Sequence, residues 1–170
     1  MVSFVDKLLL SRQLKFEEGR LTIFDQRVLI VPVELILLLI EKSVVDRKFE
    51  RLIYDVMKKS VYNFCQALAN RRGVKPKEMV RILINLAEMN GYGKLELIKL
   101  DYENKEAVFH MRHLPSELIT KQARSKIADR YWAGMLAGGA SWIFGKDVDA
   151  TETRCVADGK ESCEFVVSGR

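Results

Sequence analysis

The 170-residue sequence has no apolar run long enough to cross a bilayer. Its longest such stretches, Val28 to Ile40 (interrupted by Pro32 and Glu34) and Trp132 to Phe144, fall well short of the roughly 20 residues a spanning helix requires. No secretory signal is expected, because Asp6 and Lys7 precede a three-Leu run with no small-residue cleavage site; the chain reads as cytoplasmic. Cysteine is scarce and odd in number, three in all, which excludes the framework of a secreted disulfide protein and leaves metal ligands or free thiols. With 10 Gly and 3 Pro the chain is neither collagen-like nor of low complexity. Charge is not one-sided: 28 basic and 23 acidic residues give +5, and the basic groups around Arg71, Arg72, Lys75 and Lys77, or Lys121, Arg124, Lys126 and Arg130, read as solvated helix faces. Without a motif of a nucleic-acid-binding module, no nucleic-acid partner is expected. Phosphate-cradling Gly-Lys-Ser/Thr and nucleophile-elbow motifs are missing, and Gly134, Gly138 and Gly139 have the wrong spacing for a dinucleotide fingerprint. Enzyme chemistry of those classes is not expected.

What is present is a globular composition, 48% hydrophobic and 30% charged, sufficient to bury a core without disulfides or metal. Gln13 to Phe16, Arg20 to Phe24 and Arg27 to Val31 alternate as strands around a three-residue loop Glu17-Glu18-Gly19 and a break at Asp25-Gln26, predicting a β-meander. Pro32 suits the first position of a helix running from Val33 to Lys42, apolar nearly all round and therefore central or at a subunit interface. Asp46 caps a long helix with the stripe Phe49, Leu52, Ile53, Val56, Ser60, Phe64, Leu68, ending near Gly73; Pro76 opens another that stops at Asn90-Gly91. Period-2 runs at Leu95 to Leu100 and Ala107 to Met111 predict a hairpin. Ser116 is placed as the cap of a helical segment Glu117 to Phe144, stopped by Gly145, and Asp149 to Val156 with Cys163 to Val167 form a last hairpin around Asp158-Gly159. One α+β domain, 1–170, with a mostly antiparallel sheet and helices packed on one side, is the expected fold, its meander and first helices covering 1–93 and its hairpins 94–167.

Glu152, Cys155 and Cys163 crowd this last hairpin, and thiolate with carboxylate is a zinc-type ligand set. If Cys155 pairs opposite Cys163, the loop midpoint is Gly159, so the register is self-consistent, and opposed Cβ atoms at about 5 Å let two sulfurs share an ion. A spacing of three puts Glu152 on the other face of a regular strand, so it needs a bulge or a place at the strand entry. A cross-strand disulfide and two ordinary buried residues remain alternatives. His110 and His113 read as ordinary strand residues and Cys65 as a small buried one. Ala133, Gly134, Ala137, Gly138 and Ser141 repeat at helical spacing; a tightly packed neighbour, a cavity floor or a dimer seam would each use such a stripe, and Trp132 and Trp142 flank it.

The tail Gly138-Gly139-Ala140-Ser141, Phe144-Gly145-Lys146, Glu152, Cys155, Ala157, Gly159 and Ser162-Cys163 with Phe165 resembles the 4-vinyl reductase domain family. The likeness runs from about Lys94 to Val167 and is most specific in the order Glu, two residues, Cys, seven residues, Cys. It implies a fold shared with sensor domains of bacterial regulators that respond to aromatic compounds, with Golgi transport tethering subunits and with haem-based nitric oxide sensors. It further implies a zinc ion held by Glu152, Cys155, Cys163 and a further Cys at the start of the last helix, where this chain has Asp129. A proximal His setting for haem is lacking.

The expectation is thus a non-catalytic, zinc-containing domain that binds a small apolar or aromatic molecule between the last long helix and the sheet, with Trp132, Ala133, Gly134 and Ala137 at the ligand, and that forms a homodimer partly through Val33 to Lys42. A reductase or carrier in tetrapyrrole metabolism, and a tethering or scaffold subunit, are the alternatives.

Overall fold

A computed structural model describes residues 3–118 and 130–169. The chain divides into two compact units, Met1–Val33 and Glu34–Arg170.

The first unit opens with α1 (Phe4–Leu10), a helix beyond those expected from the sequence. Ser3 and Asp6 make a capping box, each side chain accepting the other's backbone N–H, and this is the local reason the short helix starts there. The meander follows as β1 (Leu14–Glu17), β2 (Arg20–Ile23) and β3 (Gln26–Val28), antiparallel in sequence order. Glu17 pairs with Arg20, so the first turn has two central residues, Glu18 and Gly19, rather than the expected three. Ile23 pairs with Gln26, and Phe24-Asp25 form the second turn in place of Asp25-Gln26. All four turn residues have positive φ, the backbone that matches the right-handed twist of the strands. The third strand ends at Val28, leaving Leu29, Ile30 and Val31 exposed.

In the second unit the expected helices appear as α2 (Val33–Val45, its first residue closing the preceding unit), α3 (Arg47–Arg72) and α4 (Pro76–Met89). Asp46 accepts from the N–H groups of Lys48 and Phe49, Gly73 ends α3 in the left-handed region, and Pro76 stands where its missing N–H costs nothing. Helix α2 buries Ile36, Ile40 and Ser43 but leaves Leu35, Leu38 and Val45 exposed.

Strands β4 (Lys94–Asp101) and β5 (Glu106–Arg112) form the predicted hairpin. A register shift between Leu97 and Lys99 brings Leu100 opposite Ala107, as Leu95 faces Met111 and Leu97 faces Phe109, so all three leucines face the inward row despite their odd spacing. Pro115–Leu118 is one 3₁₀ turn containing Ser116, not the capped start of a helix; 119–129 lie outside the described residues, and the last helix is described as α5 (Arg130–Phe144), stopped by Gly145 with φ +62°. The chain closes with β6 (Val148–Arg154), a 3₁₀ turn Val156–Asp158 and β7 (Cys163–Gly169), giving the sheet order β4-β5-β7-β6.

The core of this unit is built round α5, which packs on α3 and α4 and on strands β6 and β7. Alternate residues Ala107, Phe109, Met111, Cys163, Phe165, Val167, Val148 and Ala150 form the buried sheet face. The architecture is α+β with two antiparallel sheets. No helix among the described residues is long and apolar enough to cross a membrane.

Candidate metal centre

The side chains of Glu152, Cys155 and Cys163 converge, with one ligand atom from each lying within 4.8 Å of the others. Two local features bring them together. Arg154 pairs with Glu164, so the ladder continued by one step sets Cys155 opposite Cys163, as the loop arithmetic required. Between Glu152 and Arg154 the register shifts by one residue, Glu152 pairing with Phe165, and this bulge turns Glu152 onto the inward face it shares with both sulfurs. The 3₁₀ turn after Cys155, held by bonds from Asp158 N to Cys155 O and from Gly159 N to Val156 O, returns the chain to β7.

None of the three cysteines forms a disulfide. Cys163 is fully buried and Cys155 half-buried, with sulfurs 3.8 Å apart. That excludes the disulfide alternative and matches the separation of about 3.8 Å between two thiolates bound at 2.3 Å to one tetrahedral ion. Burial pushes the Cys163 thiol far above its ordinary value, and the nearby Glu152 and Cys155 push the same way; the Val156 N–H, 3.4 Å from its sulfur, opposes them by stabilising a thiolate. A divalent cation supplies the missing positive charge in such a set, so these donors can hold one with zinc-like preference. Asp129, the residue expected in the fourth position, lies outside the described residues.

The residues expected at a ligand are all buried in α5, but not on one side of it. A Cβ built on Gly134 would come within 2.5 Å of the Tyr54 carbonyl oxygen, and one on Gly138 would lie still closer to that of Lys58. The small-residue stripe is therefore a seam where α3 and α5 nearly touch through their backbones. Trp132 points elsewhere: its ring meets Tyr92 at 5.0 Å and Tyr131 at 4.7 Å, and its Nε1 finds no acceptor among the described residues. Ala133 and Ala137 are buried. A surface groove of about 470 Å³ bordered by Lys58, Lys59, Tyr62, Lys146 and Asp147 involves none of the four.

Several residues that hold the last hairpin were not legible in the sequence. The Tyr54 hydroxyl donates to Asp149 Oδ1 at 3.0 Å and accepts from Ala150 N at 3.0 Å. Lys58 Nζ lies 2.9 Å from Asp149 and 2.8 Å from Asp147, and Ser141 Oγ accepts from Val148 N. Burial raises the Tyr54 hydroxyl pKa. For Lys58 burial acts downward, but the bonds to Asp147 and Asp149 prevail and the ammonium is held above its usual value. These partners are about 90 positions apart in sequence, and no local pattern announces them. His110 sits on the opposite sheet face to the cluster, 3.0 Å from Glu164, and His113 follows the strand at positive φ; the structure brings neither to the metal cluster.

Residues 130–168 match the family model of the 4-vinyl reductase domain. Among solved structures the fold is similar to the phenol-responsive sensory domain of the transcription activator PoxR with phenol (17% identity over 99% of this chain and 91% of that one, TM-score 0.72). It is also similar to trafficking protein particle complex subunit 3 from Naegleria fowleri covalently bound to palmitic acid (12% identity over 81% and 95%, TM-score 0.51). A vinyl-4-reductase family protein from Methanocaldococcus jannaschii aligns at 22% identity over 83% and 97%, TM-score 0.47. A search of curated protein sequences gives no match.

Proposed function

We propose, starting from a chain whose residues 130–168 match the 4-vinyl reductase domain, that it is a non-catalytic module binding a small apolar or aromatic molecule beside α5, with a structural zinc ion holding the last hairpin. The convergence of Glu152, Cys155 and Cys163 carries the zinc reading, since a carboxylate and two thiols within 4.8 Å supply three of the four donors of a tetrahedral site. The fold likeness to a phenol-responsive sensory domain supports the ligand reading. Zinc supplies no reaction here: it neutralises the two thiolates and ties β6 to β7. Asp129, outside the described residues, or water would complete the coordination. Trp132, Ala133 and Ala137 are the residues assigned to the ligand, with Gly134 allowing α5 its close seat on α3. A guest that prefers one arrangement of hairpin and helix shifts the population toward it, which suits a cytoplasmic sensor or carrier.

Zinc content of protein purified without added metal tests this reading. Near-stoichiometric zinc is expected in the wild type and little in Cys155→Ser or Cys163→Ser; equal content in all three defeats it. Because metal binding needs deprotonated ligands, chelator should lower the wild-type melting temperature and leave that of the double variant nearly unchanged.

The exposed Leu35 and Leu38 of α2 support a homodimer through Val33 to Lys42, or the seat of a tethering partner. Sedimentation analysis of wild type beside a Leu35→Lys, Leu38→Lys variant separates these from a monomer, which is the expected state of the variant.

A further inference from the structure

We propose that Trp132 is the polar anchor of the guest site, its indole Nε1–H donating to a neutral oxygen acceptor on the bound molecule. This rests on the ligand reading above and narrows it from any apolar compound to aromatic carbonyl, ether or phenolic compounds. Trp132 is 1% exposed and its Nε1 has no acceptor among the described residues. Buried donors are almost always satisfied, because leaving one without a partner forfeits its bonds to water.

The surroundings fit a guest. Tyr131 stands edge-on to the indole, and Tyr92 lies tilted against it with centroids 5.0 Å apart. Burial, with the Tyr92 ring packed edge-on against it, keeps the Tyr131 hydroxyl in its neutral form. Tyr92 is half-buried, so this cluster reaches toward the surface at its far side. Aromatic walls with one directed polar group are how sites for small aromatic molecules combine apolar contact with orientation. A charged acceptor would lose its hydration among these rings with only a neutral donor in return, which selects a neutral oxygen.

The test uses pairs that differ only at the acceptor: acetophenone against α-methylstyrene, and 2-acetylnaphthalene against 2-isopropenylnaphthalene. Each is titrated into the full ¹⁵N-labelled chain while the two tryptophan indole N–H signals are followed, Trp142→Phe assigning them. The carbonyl member of a pair is expected to bind about tenfold or more tightly than its hydrocarbon twin and to move the Trp132 signal downfield, because the twin leaves the donor unpaired. In Trp132→Phe that preference should collapse while the hydrocarbon still binds. Should that variant fail to fold, the wild-type indole shift decides alone. Equal affinity within the pairs, an unmoved Trp132 signal, or a preference surviving Trp132→Phe overturns the anchor and leaves ligand binding standing. Absence of binding by every pair overturns both.

Discussion

Gly138 and Gly139 are neighbours in α5 with different tolerance for a methyl group. A Cβ at 138 would run into the Lys58 carbonyl, which α3 cannot withdraw without moving as a whole, whereas one at 139 would press on the terminal Leu83 Cδ1 at 2.8 Å, which can rotate away. Gly138→Ala should therefore cost about 2–3 kcal/mol in urea unfolding, and Gly139→Ala less than about 1 kcal/mol. Cys65 gives a second prediction at this scale. It is fully buried in α3, and burial pushes its thiol up to about 12. The folded state thus favours the neutral thiol: its contribution is complete below the unfolded value of about 8.5, and declines as pH rises from there toward 12 at up to about 1.4 kcal/mol per unit. Replacing it in Cys65→Ala should flatten the alkaline loss of stability by about one proton's worth, measured as the slope of unfolding free energy against pH; equal slopes would refute the assignment. Single residues with local consequences were the most legible part of the sequence: Asp46, Gly73, Pro76 and Gly145 each mark the helix end that their chemistry requires. Trp132 was legible as a ring flanking the small-residue stripe, but its unmet donor depends on what surrounds it.

At the scale of elements, the β6–β7 hairpin shows how a spacing of three can share one face of a strand. The bulge absorbs Thr153, which bonds to Glu164, and resets the alternation between Glu152 and Cys155. Deleting Thr153 should remove the bulge yet keep both sulfurs and Glu152 inward, since the remaining spacing is two. Inserting one Gly between Thr153 and Arg154 makes the spacing four, which also keeps Glu152 on the inward face but moves it two places along the strand, roughly 7 Å further from the sulfurs. Zinc content should survive the deletion and fall on insertion; the reverse order would show that the bulge, rather than distance along the strand, holds the cluster. The need for this bulge could be read from residue parity, and the register from the loop centre at Gly159. The misreadings have physical causes. The α1 capping box is a two-residue signal next to an unpatterned Leu run, and Ser116 looks like a cap although its segment forms a single 3₁₀ turn. Two non-glycine positive-φ residues, Phe24 and Asp25, disguise a hairpin turn that glycine would have announced.

Over the whole molecule, residues 1–33 are too few to fold independently, whereas the second unit has its own helices, sheet and buried cluster. A chain beginning at Glu34 should keep a cooperative urea transition and near-native ultraviolet dichroism, while a peptide of residues 1–33 should be largely unfolded; loss of cooperativity in the longer fragment would show that the units are one folding entity. Nothing local in the sequence marks that division, because Pro32 and Val33 read as the start of a helix. The Tyr54 hydroxyl grips Asp149 and Ala150 together, the latter two residues before Glu152 on β6. A shift of β6 sufficient to pull Glu152 from the sulfurs must sever both grips or drag α3 with it, so the closing hairpin works as a lever pivoted at residue 54 and not as a loose flap.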